Sequence, residues 1–303
     1  MSPATAVIVT YNSGAHLGAA VASCRQFGIP VVIVDNASTD GTVFPGDVTV
    51  LRNEANRGFA AAVNQGVRAH SSPLTLLLNP DARLLTGIAP LCDICVANRH
   101  TAAAGLLVEA NGKPQKGFSI RRLPTAAALA CEVLGINRIL PGNPVNQAYR
   151  CMDLDLTKTQ TVEQPAGALL LFRRDDWEEL GGFDERYFPV WFEDVDFARR
   201  FRDLGGTMVL ESSVLALHVG GHSVQKLTDA SRIRFWYGSL LRYVVRHFGA
   251  VSRRLVAGCV LFGLAARCVL GIFLLRGWAA FGAHLDCIRL SARCVVLGKI
   301  RNH

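Results

Sequence analysis

Residues 31–42 read Val31-Val32-Ile33-Val34-Asp35-Asn36-Ala37-Ser38-Thr39-Asp40-Gly41-Thr42. Four β-branched apolar residues in succession, ended by a carboxylate and a run of turn-forming residues, describe a strand buried on both faces that opens into a polar loop. The same grammar recurs nearby. Thr5–Thr10 (TAVIVT) runs into Tyr11-Asn12-Ser13, Leu74–Leu78 runs into Asn79-Pro80-Asp81, and Val48–Leu51 is a further short run. Helical patterns lie between them at Ala15–Phe27, near Gly41, at Gly58–His70 and at Leu84–Asn98. Strands alternating with helices predict a doubly wound α/β layer with ligands at the carboxyl ends of its strands. One polar cluster alone reads as a turn or helix cap; three on one sheet edge read as a ligand site.

Residues 110–165 carry Pro114, Pro124, Pro141, Pro144 and Pro165 and read as irregular connecting structure. Order returns at the apolar run Ala166–Phe172. Gly181-Gly182-Phe183-Asp184 forms a turn, and the acid-rich segment Trp191–Phe197 starts a helix that Gly205-Gly206 ends. A last strand is expected at Val214–His218.

Several of these blocks, taken in chain order, resemble family 2 glycosyltransferases. They are Ile8-Val9-Thr10-Tyr11-Asn12, Val34–Thr42, Asn56-Arg57-Gly58-Phe59 through Asn64-Gln65-Gly66, Leu77-Leu78-Asn79-Pro80-Asp81-Ala82, Gly182-Phe183-Asp184-Glu185, Phe192-Glu193-Asp194-Val195-Asp196 and the late His218. Within that family they look most like bacterial rhamnosyltransferases that build O-antigen (lipopolysaccharide) and other cell-surface and cell-wall polysaccharides. The resemblance covers residues 5–223 and implies a GT-A fold: a Rossmann-like, nucleotide-binding mixed sheet flanked by helices, here with an α-helical C-terminal extension. It implies inverting transfer of a sugar, with L-rhamnose from dTDP-L-rhamnose the leading donor and a UDP- or GDP-sugar the alternative.

The resemblance also implies roles. Thr10, Tyr11, Asn12, Asp35, Asn36, Ser38, Asn56, Gly58, Asn64, Asn79 and Asp81 are expected to bind the nucleotide sugar, and a carboxylate at Asp35 can accept the N3–H of a pyrimidine. Asn79-Pro80-Asp81 stands where the family usually has Asp-X-Asp, so the first acid is an amide here. Asp81 is then the main carboxylate ligand of a divalent cation, Mg2+ or Mn2+, with His218 as a second ligand. Asp194 is expected as the base that takes the acceptor proton, with Glu193 beside it holding the acceptor or orienting Asp194. Read without the family, Glu193, Asp194 and Asp196 are first-turn acids that favour a helix N-terminus.

The 303 residues carry a net charge of +8 and are 50% apolar, which excludes wholesale disorder. The charge is unevenly placed. Residues 1–221 hold 19 Lys+Arg and 22 Asp+Glu, whereas residues 222–303 hold 13 Lys+Arg and two acids, Asp229 and Asp286. A catalytic domain is therefore expected over 1–223 and a basic, apolar helical region over 224–303. Arg232–Phe248 has an amphipathic period. Leu255–Leu275 is apolar except for Arg267, a residue that is costly in a bilayer centre, and basic residues flank it on both sides. The preferred reading is helices lying peripherally on the cytoplasmic face of a bacterial inner membrane, near a polyprenyl-linked saccharide acceptor. A span or re-entrant hairpin, and packing within the chain or between two copies as a homodimer, are the alternatives.

The nine scattered cysteines predict a reduced, cytosolic chain, and no secretory leader is expected at the N-terminus. No GxGxxG after a strand, GxxxxGK[ST] or HExxH occurs, against a dehydrogenase, a P-loop enzyme or a zincin. Basic residues interleaved with aliphatic runs disfavour nucleic acid as partner. A non-catalytic membrane-surface protein is the remaining reading from another class.

Overall fold

A computed structural model of the protein describes residues 3–220, 227–274 and 278–297. The chain divides into two compact units. The first comprises Met1–Leu123, Arg150–Glu185 and Glu193–Ser223; the second comprises Pro124–Tyr149, Arg186–Phe192 and Val224–His303.

The first unit is built on β1 (Ala4–Thr10), β2 (Val31–Asp35), β3 (Thr49–Arg52), β4 (Leu74–Leu78), β5 (Ala82–Leu84), β6 (Thr101–Val108), β7 (Ile120–Arg121), β8 (Gln160–Val162), β9 (Gln164–Pro165), β10 (Leu169–Arg173) and β11 (Thr207–His218). The main sheet runs β3-β2-β1-β4-β10-β6-β11-β5, with β8 also on β11, and β7 pairs with β9 separately. β1 to β4 are mutually parallel, as are β6 and β11, whereas β10 lies antiparallel between β4 and β6. Helices α1 (Gly14–Gln26), α2 (Phe59–Arg68) and α3 (Ala89–Ala97) follow strands of this sheet, and α7 (Arg174–Glu179) and α8 (Glu193–Asp203) complete the unit. The sheet is thus mixed and flanked by helices, as expected.

Burial explains the strand composition. Every residue of β1, β2, β4 and β6 is buried, and apart from Asp35 and four threonines these strands are apolar or glycine, as burial on both faces favours. Ile8, Leu17, Val21, Ile33, Leu76, Leu91 and Leu171 belong to one core under α1 and α3. Gly66 sets the distance of α2 from the sheet. A Cβ there would lie 2.4 Å from Val7 Cγ1, so only glycine permits the approach.

Several boundaries differ from the sequence reading for identifiable reasons. No helix forms near Gly41; Asp40 instead turns the loop by accepting the N–H of Thr42 at 3.2 Å and of Gly14 at 3.1 Å. The helix expected from Leu84 begins at Ala89, because Ala82–Leu84 pairs with β11 as β5. β10 begins at Leu169 rather than Ala166, since Ala166 N–H goes to Ser119 carbonyl and Gly167 N–H to Asp194. β11 starts seven residues early, at Thr207. The polar break Glu211-Ser212-Ser213 is a register shift within one strand rather than its beginning.

The second unit contains α4 (Ala126–Val133), α5 (Ile136–Ile139), α6 (Pro144–Tyr149), α9 (Asp229–His247), α10 (Ala250–Leu274) and α11 (Trp278–Leu297). Part of the proline-bearing segment is therefore helical, and α4 starts with Thr125 accepting the N–H of Ala128 at 3.1 Å. α10 packs against α4 and α11, burying Val256, Ala257, Val260 and Leu264. Val251, Leu255, Phe262 and Val269 recur at spacings of four and seven residues and stay exposed, all four by more than half. Among the described residues no helix is long and apolar enough to cross a membrane.

Candidate active site

The sheet delivers its polar residues to one edge. Thr10 and Asp35 are register partners at the ends of β1 and β2. Asn79-Pro80-Asp81 follows β4, His218 ends β11, and Gly167 precedes the antiparallel β10. Asn79 N–H donates to the Ala168 carbonyl at 3.0 Å, which places the Asp81 loop beside Gly167.

At the β1–β2 end, Asp35 is buried and accepts Ser38 N–H at 3.1 Å. Ser38 Oγ accepts Asn12 N–H at 2.8 Å, and Asn12 Oδ1 accepts Thr39 N–H at 2.7 Å. These bonds tie the two loops together. Asn12 has φ 54°, a left-handed conformation that asparagine tolerates better than most side chains. Thr10 Oγ1 is fully buried without a partner, and Tyr11 is half-buried.

Two of the residues expected at the ligand have their amides engaged within the protein. An amide side chain has two N–H donors and two lone pairs. Asn36 gives its N–H groups to Asn56 Oδ1 and the Gly58 carbonyl, while its oxygen accepts from Asn53 Nδ2 and Arg57 N–H. Asn56 Oδ1 also accepts Gly58 N–H at 2.8 Å, so Asn36, Asn56 and Gly58 build the loop before α2. Asn64 donates to the Phe183 carbonyl at 2.8 Å and Glu185 Oε1 at 2.9 Å; its oxygen accepts from Trp177 Nε1 at 3.0 Å and Phe183 N–H at 2.9 Å. Both amides are saturated within the protein. Asn64 clamps the Gly182–Glu185 turn.

Asp81 and His218 form a second cluster. Asp81 Oδ1 lies 3.5 Å from His218 Nε2, and both residues are nearly fully buried. Burial raises the Asp81 carboxyl, but the His218 contact and charge and main-chain N–H groups outweigh it and leave the group below its ordinary range. Phe118 stacks on the imidazole at 5.1 Å. Gln115 contacts His218 twice: its Nε2 donates to the His218 carbonyl at 2.7 Å, and its Oε1 sits 3.0 Å from Nδ1. An acceptor there holds a proton on Nδ1 and leaves Nε2 facing Asp81, where it donates when the ring is charged and offers a lone pair to a cation when it is neutral. One carboxylate oxygen and one imidazole nitrogen suit a divalent cation bound mainly by oxygen. Elsewhere among the described residues, His100, Asp176 and Glu179 bring ligand atoms within 4.8 Å of one another. That group lies at the opposite sheet edge, where β6 begins and β10 ends.

Asp194 opens α8 close to the Asp81 loop. Its Oδ2 accepts Gly167 N–H at 3.2 Å and Gln164 Nε2 at 3.3 Å, and its Oδ1 accepts Val195 N–H at 2.8 Å. A Cβ on Gly167 would stand 3.3 Å from Asp194 Cβ, so the backbone and the acid are in close approach. Burial raises the Asp194 carboxyl above the usual range, against the opposing pull of these N–H groups and the Arg121 charge. Such a carboxylate is a stronger proton acceptor than an exposed one. Glu193 beside it is 5% exposed. Asp196 is fully buried and faces the other way, bonded to Arg200 Nε at 2.7 Å; Arg200 in turn donates to the carbonyls of Leu180 and Gly182.

Gln115, Gln164, Gly167 and Arg121 were not expected at the site. The small-residue stretch Ala166-Gly167-Ala168 ahead of an apolar strand was the one available signal; Gln115 stands in a loop and Gln164 in the two-residue β9, neither with a pattern.

A family model described as glycosyl transferase family 2 matches residues 5–122. An N-acetylglucosaminyl-diphospho-decaprenol L-rhamnosyltransferase of Mycobacterium tuberculosis is 30% identical over 72% of this chain and 76% of its own length. A mannosyltransferase from Pyrobaculum calidifontis, solved with GDP-Man and Mn2+, superposes with TM-score 0.51 at 16% identity, covering 98% of this chain and 88% of that one. S. aureus TarS 1-349, solved with UDP-GlcNAc, superposes with TM-score 0.54 at 14% identity, covering 96% and 81%. At these identities the two structures share the fold with this chain.

Proposed function

The chain belongs to glycosyl transferase family 2, and from that premise we propose that it moves L-rhamnose from dTDP-L-rhamnose onto a hydroxyl of a polyprenyl-linked saccharide. The observation that carries this reading is the Asp194 carboxylate, oriented by Gly167 and Gln164 next to the loop that bears Asp81. The mycobacterial relative, whose name specifies rhamnose and a decaprenyl-linked acceptor, supports the choice of sugar and acceptor class.

In the proposed reaction Asp194 accepts the proton of the acceptor hydroxyl as its oxygen bonds to the anomeric carbon. The bond from that carbon to the diphosphate oxygen breaks on the opposite face, inverting the centre and releasing dTDP. Asp35 and the loop residues Tyr11, Asn12 and Ser38 hold the base and ribose. Asp81 and His218 would hold Mg2+ or Mn2+, with Gln115 fixing the imidazole tautomer. Such a cation, when bound, offsets charge on the leaving diphosphate. Glu193 and Arg121 flank the base, and Asn64 holds the turn before α8 from behind.

We assign residues 1–223 to catalysis and 224–303 to a helical, membrane-associating region. The exposed stripe on α10 and the excess of Lys and Arg in this region support peripheral contact with an anionic cytoplasmic membrane face. Such an enzyme serves surface-polysaccharide assembly, where the acceptor is bilayer-bound. Incubation with a panel of dTDP-, UDP- and GDP-sugars and a prenyl-diphosphate GlcNAc acceptor tests the reading. A rhamnosylated lipid from dTDP-L-rhamnose is expected; transfer from a UDP- or GDP-sugar alone rejects the donor assignment.

A further inference from the structure

Arg267 is the single charge in the apolar run of α10, and the second unit gives it an unusual setting. Its Nη1 donates to the Tyr237 hydroxyl at 2.8 Å, a neutral partner, and among the described residues it forms no ion pair. It lines a cavity of about 390 Å³ together with Arg138, Arg232, Trp236, His284 and Glu132. Arg232 Nε is buried with no hydrogen-bond partner, while its Nη2 donates to the Leu227 carbonyl at 3.2 Å and its Nη1 pairs with exposed Asp229 at 3.7 Å. Arg138 is exposed at the rim, with no ion pair among the described residues. His284 Nδ1 is engaged by the Ala280 carbonyl at 2.7 Å, which leaves Nε2 as its second polar atom. Glu132 also lines the cavity but accepts from Asn137 Nδ2 at 2.7 Å.

Three guanidiniums and an imidazole thus share one cavity with two carboxylates, one already bonded and one on the surface. A partly buried guanidinium without a counter-charge is costly. Arg267 is such a group, and setting it beside two further guanidiniums around an open volume suits an anion brought from outside. Guanidinium pairs match phosphate oxygens bidentately. Trp236 and Ile233 supply an apolar wall, and the volume falls in the range of small-molecule sites.

We propose that this cavity binds the phosphate or diphosphate head of a lipid, with the adjoining chain against Trp236 and Ile233. Two sources share that chemistry: the diphosphate of a lipid-linked acceptor, which rests on the function proposed above, and a phospholipid of the bilayer, which does not. The full chain is titrated calorimetrically with farnesyl diphosphate, inorganic pyrophosphate and farnesol. Farnesyl diphosphate is expected to bind more tightly than either fragment. Arg138→Ala, a rim change that leaves the helices intact, and Arg267→Gln should each weaken it about tenfold, the loss of one charge-assisted contact. Farnesol binding as tightly as farnesyl diphosphate, or both variants matching the wild type, overturns the site.

Flotation with phosphatidylcholine vesicles carrying either decaprenyl diphosphate or phosphatidylglycerol assigns the source. Capture sensitive to Arg138→Ala by only the first supports the acceptor, and equal capture by both supports a bilayer phospholipid. Arg138-independent capture by both overturns the proposal. None of these arms needs donor or turnover, so failure here leaves the transferase reading standing, and failed sugar transfer leaves this site standing.

Discussion

Asn64→Ala separates a clamp from a ligand contact. The wild-type amide makes four buried or half-buried hydrogen bonds, and truncation leaves Trp177 Nε1–H, Phe183 N–H and the Phe183 carbonyl without their partner. Each buried orphan costs about 1–3 kcal/mol. Entry of a water into the vacated space satisfies one or two of them. The net destabilisation expected is therefore about 3–5 kcal/mol, a large fraction of the ~5–15 kcal/mol typical of a domain. Urea denaturation followed by circular dichroism measures it as a shifted midpoint at unchanged slope. Asn64→Asp refines the test. It keeps both acceptors but sets a carboxylate against Glu185 Oε1, which now lies 2.9 Å from the amide nitrogen. The folded state would raise the pKa of the introduced acid, so the variant should lose stability as pH rises through that value. An unfolding free energy within about 1 kcal/mol of wild type, with donor affinity abolished in Asn64→Ala, would refute the clamp and support the ligand role.

Three further outcomes follow from the site. Gly167→Ala places a methyl 3.3 Å from Asp194 Cβ, so kcat should fall about tenfold through displacement of the carboxylate while donor affinity holds; steady-state kinetics with separate donor binding check it. Because burial raises the Asp194 carboxyl, kcat should climb with pH through a value above that of an ordinary aspartate and be lost below it, as a pH–rate profile would record. A limb at or below the usual aspartate range would contradict the burial argument. Gln115→Leu removes the partner of His218 Nδ1, and Mn2+ dependence of donor binding by calorimetry should weaken roughly 10- to 100-fold.

The contrast between these residues shows what sequence alone can reveal. Thr5–Thr10, Val31–Asp35 and Leu74–Leu78 were legible because a strand buried on both faces must be apolar throughout, and their polar ends had to share one edge. Asp81, Asp194 and His218 were legible through the resemblance of the blocks that carry them; without it, Asp194 reads as a first-turn helix acid. Asn64 was legible as important but not as structural, since its partners Phe183 and Glu185 are 119 and 121 residues away. Gln115 reaches His218 over 103 residues from a loop, and Gln164 reaches Asp194 over 30 from the two-residue β9, which is too short to carry a period. The antiparallel place of β10 between β4 and β6 is a tertiary choice that its apolar sequence does not encode. Arg267 looked like a defect in a membrane-seeking helix; the structure gives it Tyr237 and a cavity shared with other guanidiniums.

The most direct test of the central claim is the turnover of Asp194→Asn with dTDP-L-rhamnose and a prenyl-diphosphate GlcNAc acceptor, read beside its donor affinity. Asparagine preserves the size of the side chain and one acceptor oxygen but cannot take a proton. The account predicts that kcat falls by roughly 10²- to 10⁴-fold, the contribution of a positioned general base, with donor affinity unchanged. Turnover within a few-fold of wild type would contradict it, because the proton would then have another destination.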